Sequence, residues 1–159
     1  MKNPESVTFK AFMNPPGGMR PGLVNTREWR AAEIPAANGH TTARSLAKLY
    51  GVLARGGELD GVRVMSEEQV AKCSFEQSHG PDALLMINTR FSLGFMMSQP
   101  GASLGPNPKS FGHPGAGGSL GYADPEAKIG FGYTMNKMHA SLLIDPRAIA
   151  LIDSVYASM

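Results

Sequence analysis

The first candidates for chemistry are a serine and a lysine one helical turn apart. Ser45 and Lys48 match the pattern Ser-x-x-Lys, in which the lysine activates a nucleophilic serine. The surrounding apolar residues recur at helical spacing and define one buried stripe. Ser45 and Lys48 fall on the opposite side of that helix. A nucleophile exposed there has no oxyanion-stabilising group beside it, so we interpret the match as fortuitous.

A second serine lies in a Gly-x-Ser-x-Gly pattern that runs from Gly117 to Gly121 and is typical of nucleophile elbows. In an elbow the serine ends a strand and a helix follows at once. After Ser119 the sequence instead predicts a strand and a turn. Asp124 and His139 complete the order Ser, Asp, His, but they belong to the adjoining hairpin. The simpler interpretation is that these glycines let the backbone approach a neighbour.

A histidine lies in the same glycine-dense segment, which runs from Phe111 to Ser119. Such a segment suits backbone that comes close to a ligand or to another strand. Imidazole can donate a hydrogen bond or carry charge near neutral pH, so His113 is a candidate for acid–base chemistry. A lone histidine is more often structural, and the interpretation of His113 therefore depends on its neighbours.

The elements that must position these residues begin with helices. Residues 1–24 contain much Gly and Pro and are expected to be mostly loop. Residues 40–75 are expected to be helical, with one amphipathic helix that ends at Gly56-Gly57 and a second one capped by Ser66.

Strands are predicted between residues 90 and 136, at 90–97, 118–123 and 128–136. The short turn at 124–127 makes the last two an antiparallel hairpin. A terminal helix is expected over residues 145–158, with Pro146 at its first position. The predicted fold class is α+β, an antiparallel sheet flanked by helices.

Composition excludes several classes of function. The 159 residues carry 13 acidic and 15 basic side chains without a basic cluster, so no nucleic-acid partner is expected. One cysteine, Cys73, allows neither an internal disulfide nor a multi-cysteine zinc site, and we expect no metal and no cofactor. No run is long and apolar enough to span a membrane, and the first residues lack a signal-peptide pattern. We therefore expect a cytoplasmic location.

Several segments together resemble the serine β-lactamase superfamily, in the class C β-lactamase-like branch that includes carboxylesterases. The resemblance rests on residues 36–50, 53–61, 111–119, 123–125 and 130–136, in that order. It implies that residues 1–159 are the C-terminal portion of a single β-lactamase-like domain, part of a β-lactamase/transpeptidase-like fold. It also implies a serine acyl hydrolase acting on a small ester or amide.

The resemblance further implies a role for each residue of the third motif. His113-Pro114-Gly115 takes the place of Lys-Thr-Gly, and the N–H of Ala116 would contribute to the oxyanion hole. His113 and Ala116 are thus the catalytic candidates, while Pro114, Gly115 and Gly117 would border the substrate. Because Pro114 lacks the hydroxyl that helps to hold a substrate carboxylate, esters are favoured over β-lactams.

Two motifs of that family are absent from this sequence. The nucleophilic Ser-x-x-Lys and the Tyr-x-Asn motif lie upstream in the family; Ser45 falls in the wrong segment, and Tyr133 to Asn136 has one residue too many. We therefore expect the chain alone to be inactive.

Three functions stay open: the C-terminal portion of a hydrolase, a non-catalytic binding or assembly module, and a self-sufficient esterase that uses Ser119. For the first two we expect pairing with a missing N-terminal half or self-association. Met96, Met97 and the 128–136 strand are expected near that contact.

Overall fold

A computed structural model describes residues 3–14, 17, 20–140 and 143–159. The chain divides into two compact units. One comprises Met1–Thr41 and Pro81–Asn88, and the other comprises Thr42–Gly80 and Thr89–Met159. In the described part of the chain, no helix has the length and hydropathy needed to cross a membrane.

The first unit contains short helices: α1 (Val7–Phe12), a 3₁₀ turn (Leu23–Asn25) and α2 (Arg27–Ala31). Residues 1–24 contain one helix, α1, that the sequence analysis did not predict. The Ser6 hydroxyl accepts a hydrogen bond from the backbone N–H of Phe9 at 3.1 Å, and neither Gly nor Pro interrupts the six residues that follow Ser6. Residues 1, 2, 15, 16, 18 and 19 of that stretch lie outside the described residues.

Among its described residues, the second unit contains three helices: α3 (Ala43–Ala54), α4 (Glu67–Cys73) and α5 (Pro146–Ala157). Each begins at a residue that caps it with a side-chain oxygen, namely Thr42, Ser66 and Asp145. These helices confirm the predicted pattern. However, residues 40–75 are not helical throughout, because β1 (Glu58–Leu59) and β2 (Val62–Arg63) form a hairpin between α3 and α4. Asp60 and Gly61 both have positive φ, as a tight type I′ turn requires.

The sheet comprises β3 (Ser78–Pro81), β4 (Asn88–Phe91), β5 (Met96–Met97), β6 (Phe111–Pro114), β7 (Leu120–Asp124) and β8 (Ile129–Tyr133). Its spatial order follows the chain, and the pairs from β4 to β8 are antiparallel. The α+β class with an antiparallel sheet flanked by helices is confirmed. The predicted 90–97 strand is instead two strands, because the chain turns between them at Gly94 (φ 86°).

Helices cover the two faces of β7 and β8. Glycines face α3: a Cβ on Gly130 would overlap the backbone of Gly51, and one on Gly132 would overlap the backbone of Ala43. Larger side chains, among them the buried Leu120 and Tyr122, face α5 and pack with its buried residues Ala148 and Ile152. Because successive strand residues point to opposite faces, the alternation of glycine with large residues produces these two different contacts.

Two methionines that were expected near an association contact are in the core. Met96 and Met97 are 4% and 1% exposed, so their side chains do not form part of the surface of the described residues. β5 lies inside the sheet between β4 and β6, and its two successive side chains, which point to opposite faces, are both buried. The part of that prediction that concerns β8 is different, because β8 lies at the edge of the sheet and its five residues are half-buried.

Candidate functional site

The third-motif residues lie where β6 extends beyond the end of its neighbour β5. All four residues of β6 pair with β7. On the other side β5 pairs only with Phe111 and Gly112. Among the described strands, none therefore pairs with His113 and Pro114 along that side. This short open edge leads into the turn that contains Ala116.

The His113 side chain is exposed at this edge. Its Nδ1 lies 2.7 Å from the carbonyl oxygen of Pro114. A carbonyl oxygen can only accept, so Nδ1 is the donor, and in the neutral ring Nε2 is left with an unprotonated lone pair. The ring centroid is 6.3 Å from that of Phe91, in a tilted arrangement. The geometry leaves Nε2 available for hydrogen bonding or proton transfer.

A buried tyrosine on α3 contacts β6 and β7 at the position of His113. Burial raises the pKa of Tyr50 to about 12, and a hydrogen bond with the backbone of His113 opposes that rise. The Tyr50 ring fills the space in which a Cβ of Gly121 would lie, and Gly121 is the register partner of His113. The sequence placed Tyr50 only in the apolar stripe of α3; its contact with the backbone of His113 was missed, because it joins residues 63 positions apart.

The turn after β6 is tight and closed by its own backbone. The N–H of Gly115 donates to the Ser119 carbonyl at 2.6 Å, and the N–H of Gly118 donates to the Gly115 carbonyl at 3.0 Å. Gly117 and Gly118 have φ values of 88° and 116°, which residues with a side chain rarely adopt. Ala116 is exposed at the tip, and within the described residues its backbone N–H has no hydrogen-bond acceptor.

The space beside two of the glycines is filled from within the chain. A Cβ on Gly115 would overlap the hydroxyl of Ser119, and one on Gly117 would lie 2.5 Å from Cε of Met138. Both positions therefore need glycine for packing, whatever substrate lies nearby. Gly117 is buried, while Gly115 and Pro114 are half-buried. The interpretation of these glycines as positions of close backbone approach is confirmed.

The two alternative serine motifs do not assemble a site. Ser45 and Lys48 are both exposed on α3, and the Ser45 hydroxyl lies 3.1 Å from that of the capping Thr42. Ser119 is followed by β7 rather than by a helix, as the sequence indicated.

Asp124, which would be the acid beside Ser119 in the Gly-x-Ser-x-Gly motif, is fully buried, and its carboxylate is already hydrogen-bonded. Its carboxylate accepts hydrogen bonds from Asn107, from the Tyr156 hydroxyl and from the backbone N–H groups of Glu126 and Ala127. Its role is to close the β7–β8 turn and to hold α5. Elsewhere in the described ranges, no three His, Cys, Asp or Glu side chains converge as a metal site would require.

Comparisons with known proteins place these features in a family. The family model described as beta-lactamase matches residues 3–154. An esterase/beta-lactamase from Mycobacterium tuberculosis, LipL, is 38% identical over 141 residues, which are 83% of this chain and 32% of LipL.

Solved structures agree with this assignment. A family VIII carboxylesterase is 43% identical with a TM-score of 0.81, over 85% of this chain and 36% of that protein. A penicillin-binding protein homologue from Caulobacter crescentus is 42% identical with a TM-score of 0.80, over 84% of this chain and 36% of that protein. The chain belongs to the beta-lactamase family, which includes esterases, and has a β-lactamase/transpeptidase-like fold. It spans about a third of the length of these relatives.

Proposed function

We propose that this chain is the C-terminal portion of a single-domain serine acyl hydrolase, to which it supplies the third-motif strand and one oxyanion-hole donor. The observation that carries the proposal is the backbone N–H of Ala116, an exposed residue whose N–H has no acceptor among the described residues and which follows the open edge of β6. A preorganised donor of this kind stabilises the charge that develops on a carbonyl oxygen during acyl transfer. The serine nucleophile would come from residues outside this chain.

His113 is the candidate for acid–base assistance. Nε2 of its exposed side chain can hydrogen-bond a substrate or a leaving group, while the contact of Nδ1 with the carbonyl oxygen of Pro114 fixes the ring. Unlike the lysine of the family motif, a neutral imidazole can both donate and accept a hydrogen bond. Replacing His113 with Ala is expected to lower turnover by about 10²-fold.

Pro114 favours esters as substrates. It has no hydroxyl with which to hold a substrate carboxylate, and the matched relatives named as esterases support the same preference. Pro114→Thr should raise the rate with a carboxylate-bearing β-lactam relative to that with a neutral ester such as p-nitrophenyl butyrate. An unchanged ratio would contradict this assignment.

The edge strand β8 is the proposed contact with the rest of the enzyme. Its outer backbone edge has no partner strand in the described sheet, and such edges recruit another strand. We propose that a strand from the missing N-terminal half occupies it, with self-association of free chains as the alternative. Sedimentation velocity of the isolated chain should then show dimers or larger species, and a compact monomer that binds no hydrophobic dye would contradict the proposal.

The test of catalysis uses the chain alone and a chimera. The isolated chain should neither hydrolyse p-nitrophenyl esters nor react with a fluorophosphonate probe, and labelling of Ser119 would favour the self-sufficient esterase instead.

The chimera is the family VIII carboxylesterase in which this chain replaces the matching segment. Its Ala116→Pro variant, which lacks the N–H, should lose about 10²–10³ in kcat. Ala116→Gly keeps the N–H and is the matched control. Equal activity of the two variants would rule out the oxyanion role.

A further inference from the structure

The turn from Gly115 to Ser119, which contains Ala116, has a flexible backbone. Two of its residues, Gly117 and Gly118, are glycines in the left-handed region, and glycine is the most flexible residue in the chain. A catalytic N–H needs a position accurate to about 0.5 Å. The turn must therefore be held by contacts from elsewhere.

One contact comes from residues 137–139, which follow β8. The backbone N–H of His139 donates to the carbonyl oxygen of Gly117 at 2.8 Å. The Met138 side chain covers Gly117 at the position where a Cβ would lie. This segment thus lies against the turn one residue after Ala116.

The second contact comes from the start of α5. Asp145 is 1% exposed, and its carboxylate occupies the place in which a Cβ of Gly118 would lie. Asp145 therefore lies against the turn two residues after Ala116. It also caps α5, because its Oδ1 accepts the backbone N–H of Arg147 at 2.8 Å.

Arg147 joins these two contacts. Its Nε donates to Oδ1 of Asp145 at 2.9 Å and its Nη2 donates to Oδ2 at 2.5 Å. Its Nη1 donates to the carbonyl oxygen of Lys137 at 3.1 Å. A single planar guanidinium therefore fixes both the carboxylate that touches Gly118 and the segment that is bonded to Gly117. A lysine has no such fork of donors and could not make all three bonds.

We infer that Arg147 is a positioning residue for the backbone N–H of Ala116, acting through Asp145 and the 137–139 segment. The inference rests on the proposed function, in which that N–H is an oxyanion donor. Arg147 itself touches neither Ala116 nor a substrate. Its effect is to restrict a glycine turn that would otherwise sample several conformations.

The first test measures amide hydrogen exchange by NMR in the full chain. Arg147→Lys keeps the charge and the capping carboxylate but loses the fork. It should accelerate exchange of the His139 and Gly118 amides by about tenfold, while amides in the core of β7 stay unchanged. Arg63→Lys is the matched control, since Arg63 also bridges a carboxylate, that of Glu58, and two carbonyl oxygens, at the β1–β2 hairpin. The control should leave the turn unaffected, and unchanged exchange in Arg147→Lys would overturn the inference.

The second test measures kinetics in the chimera. Arg147→Lys should lower kcat about tenfold with KM changed less than twofold, because misplacing a group that acts in the transition state costs rate rather than binding. If Ala116→Pro is inactive but Arg147→Lys retains full kcat, the inference is wrong and the proposed function stands. If Ala116→Pro and Ala116→Gly have equal kcat, the proposed function fails and the positioning role falls with it.

Discussion

The two faces of the β7–β8 hairpin are packed by opposite means. On one face, α3 lies directly on the strand backbone, because Gly121, Gly130 and Gly132 carry no side chains. On the other face, α5 packs on large side chains such as Tyr122, which stacks on Phe131 with ring centroids 5.2 Å apart. The same ten strand residues thus make a backbone contact and a side-chain contact.

The faces also differ in their use of charge. The α5 side contains two buried carboxylates, Asp124 and Asp145, each bound by several donors. The contact of α3 with the glycines is made by backbone and apolar groups. Steric changes should therefore damage the α3 face most, whereas pH and the loss of hydrogen bonds should act on the α5 face.

The largest effect is expected from Gly130→Ala. The new Cβ would overlap the backbone of Gly51 and Ala47, and neither can move without lifting α3 from the sheet. We expect a loss of about 3 kcal/mol in the free energy of unfolding, at the upper end for overpacking. Urea denaturation followed by circular dichroism measures this change. A loss below about 1 kcal/mol would show that α3 is not seated on the strand backbone.

A smaller loss is expected on the α5 face from Tyr156→Phe. The variant removes one donor from the buried carboxylate of Asp124 while keeping the ring against Gly105. A hydrogen bond to a charged group contributes about 1.5–3 kcal/mol, so we expect about 2 kcal/mol in the same urea experiment. Ser154→Ala, which removes an exposed hydroxyl of α5, is the control and should change stability little.

Gly51→Ala should have the opposite sign. Although Gly51 faces Gly130, a Cβ on Gly51 itself meets nothing within 4 Å. Alanine in place of a mid-helix glycine then stabilises by about 0.5–1 kcal/mol. Both variants add one methyl group to a residue of the Gly51–Gly130 contact. The comparison with Gly130→Ala therefore tests the direction in which each added methyl group points, towards the neighbouring element or away from it. Destabilisation by Gly51→Ala would mean that α3 is rotated about its axis relative to this structure.

The smallest expected effect is that of protonating Asp145, which changes stability only at acid pH and not at neutral pH. Hydrogen bonds from the Arg147 side chain lower the pKa of Asp145 from 3.8 to about 2, although burial opposes them. Since the folded-state pKa is the lower one, the stabilisation is fully present above about pH 4 and is lost as pH falls towards 2. Exchange protection of α5 should therefore fall before that of α3 in this range. Asp145→Asn should remove the contribution of Asp145 to that pH dependence.

Local signals made much of this fold predictable. Capping residues fixed the starts of α3, α4 and α5, and the short turn at 124–127 fixed the β7–β8 hairpin. The helix α1 was missed because the Gly and Pro residues after it dominated the interpretation of residues 1–24. The split of residues 90–97 into β4 and β5 was missed because an apolar run does not reveal a glycine turn within it.

The candidate site was predictable as a motif but not as a geometry. The resemblance pointed to His113 and Ala116, and their roles stay predictions. The support from Tyr50 was not visible because its contact joins residues far apart in the sequence. The support from Arg147 was not visible because it reaches the turn only through Asp145 and the 137–139 segment, which carry no motif. Glycine density indicated close approach, but only the structure identifies Ser119, Met138 and Asp145 as the neighbours.

The seat of α3 on glycines has a consequence for the order of folding. Strand β8 alternates Gly with apolar residues, and glycine in the interior of a strand weakens it. The glycine face of β8 is stabilised only when α3 packs on it. Gly51 and Gly130 are separated by about 80 residues, and closing a loop of that length costs about 4 kcal/mol plus a constant. The β7–β8 hairpin, although contiguous in the chain, should therefore form late and together with the docking of α3. The chain should fold slowly for its size, as non-local contacts impose.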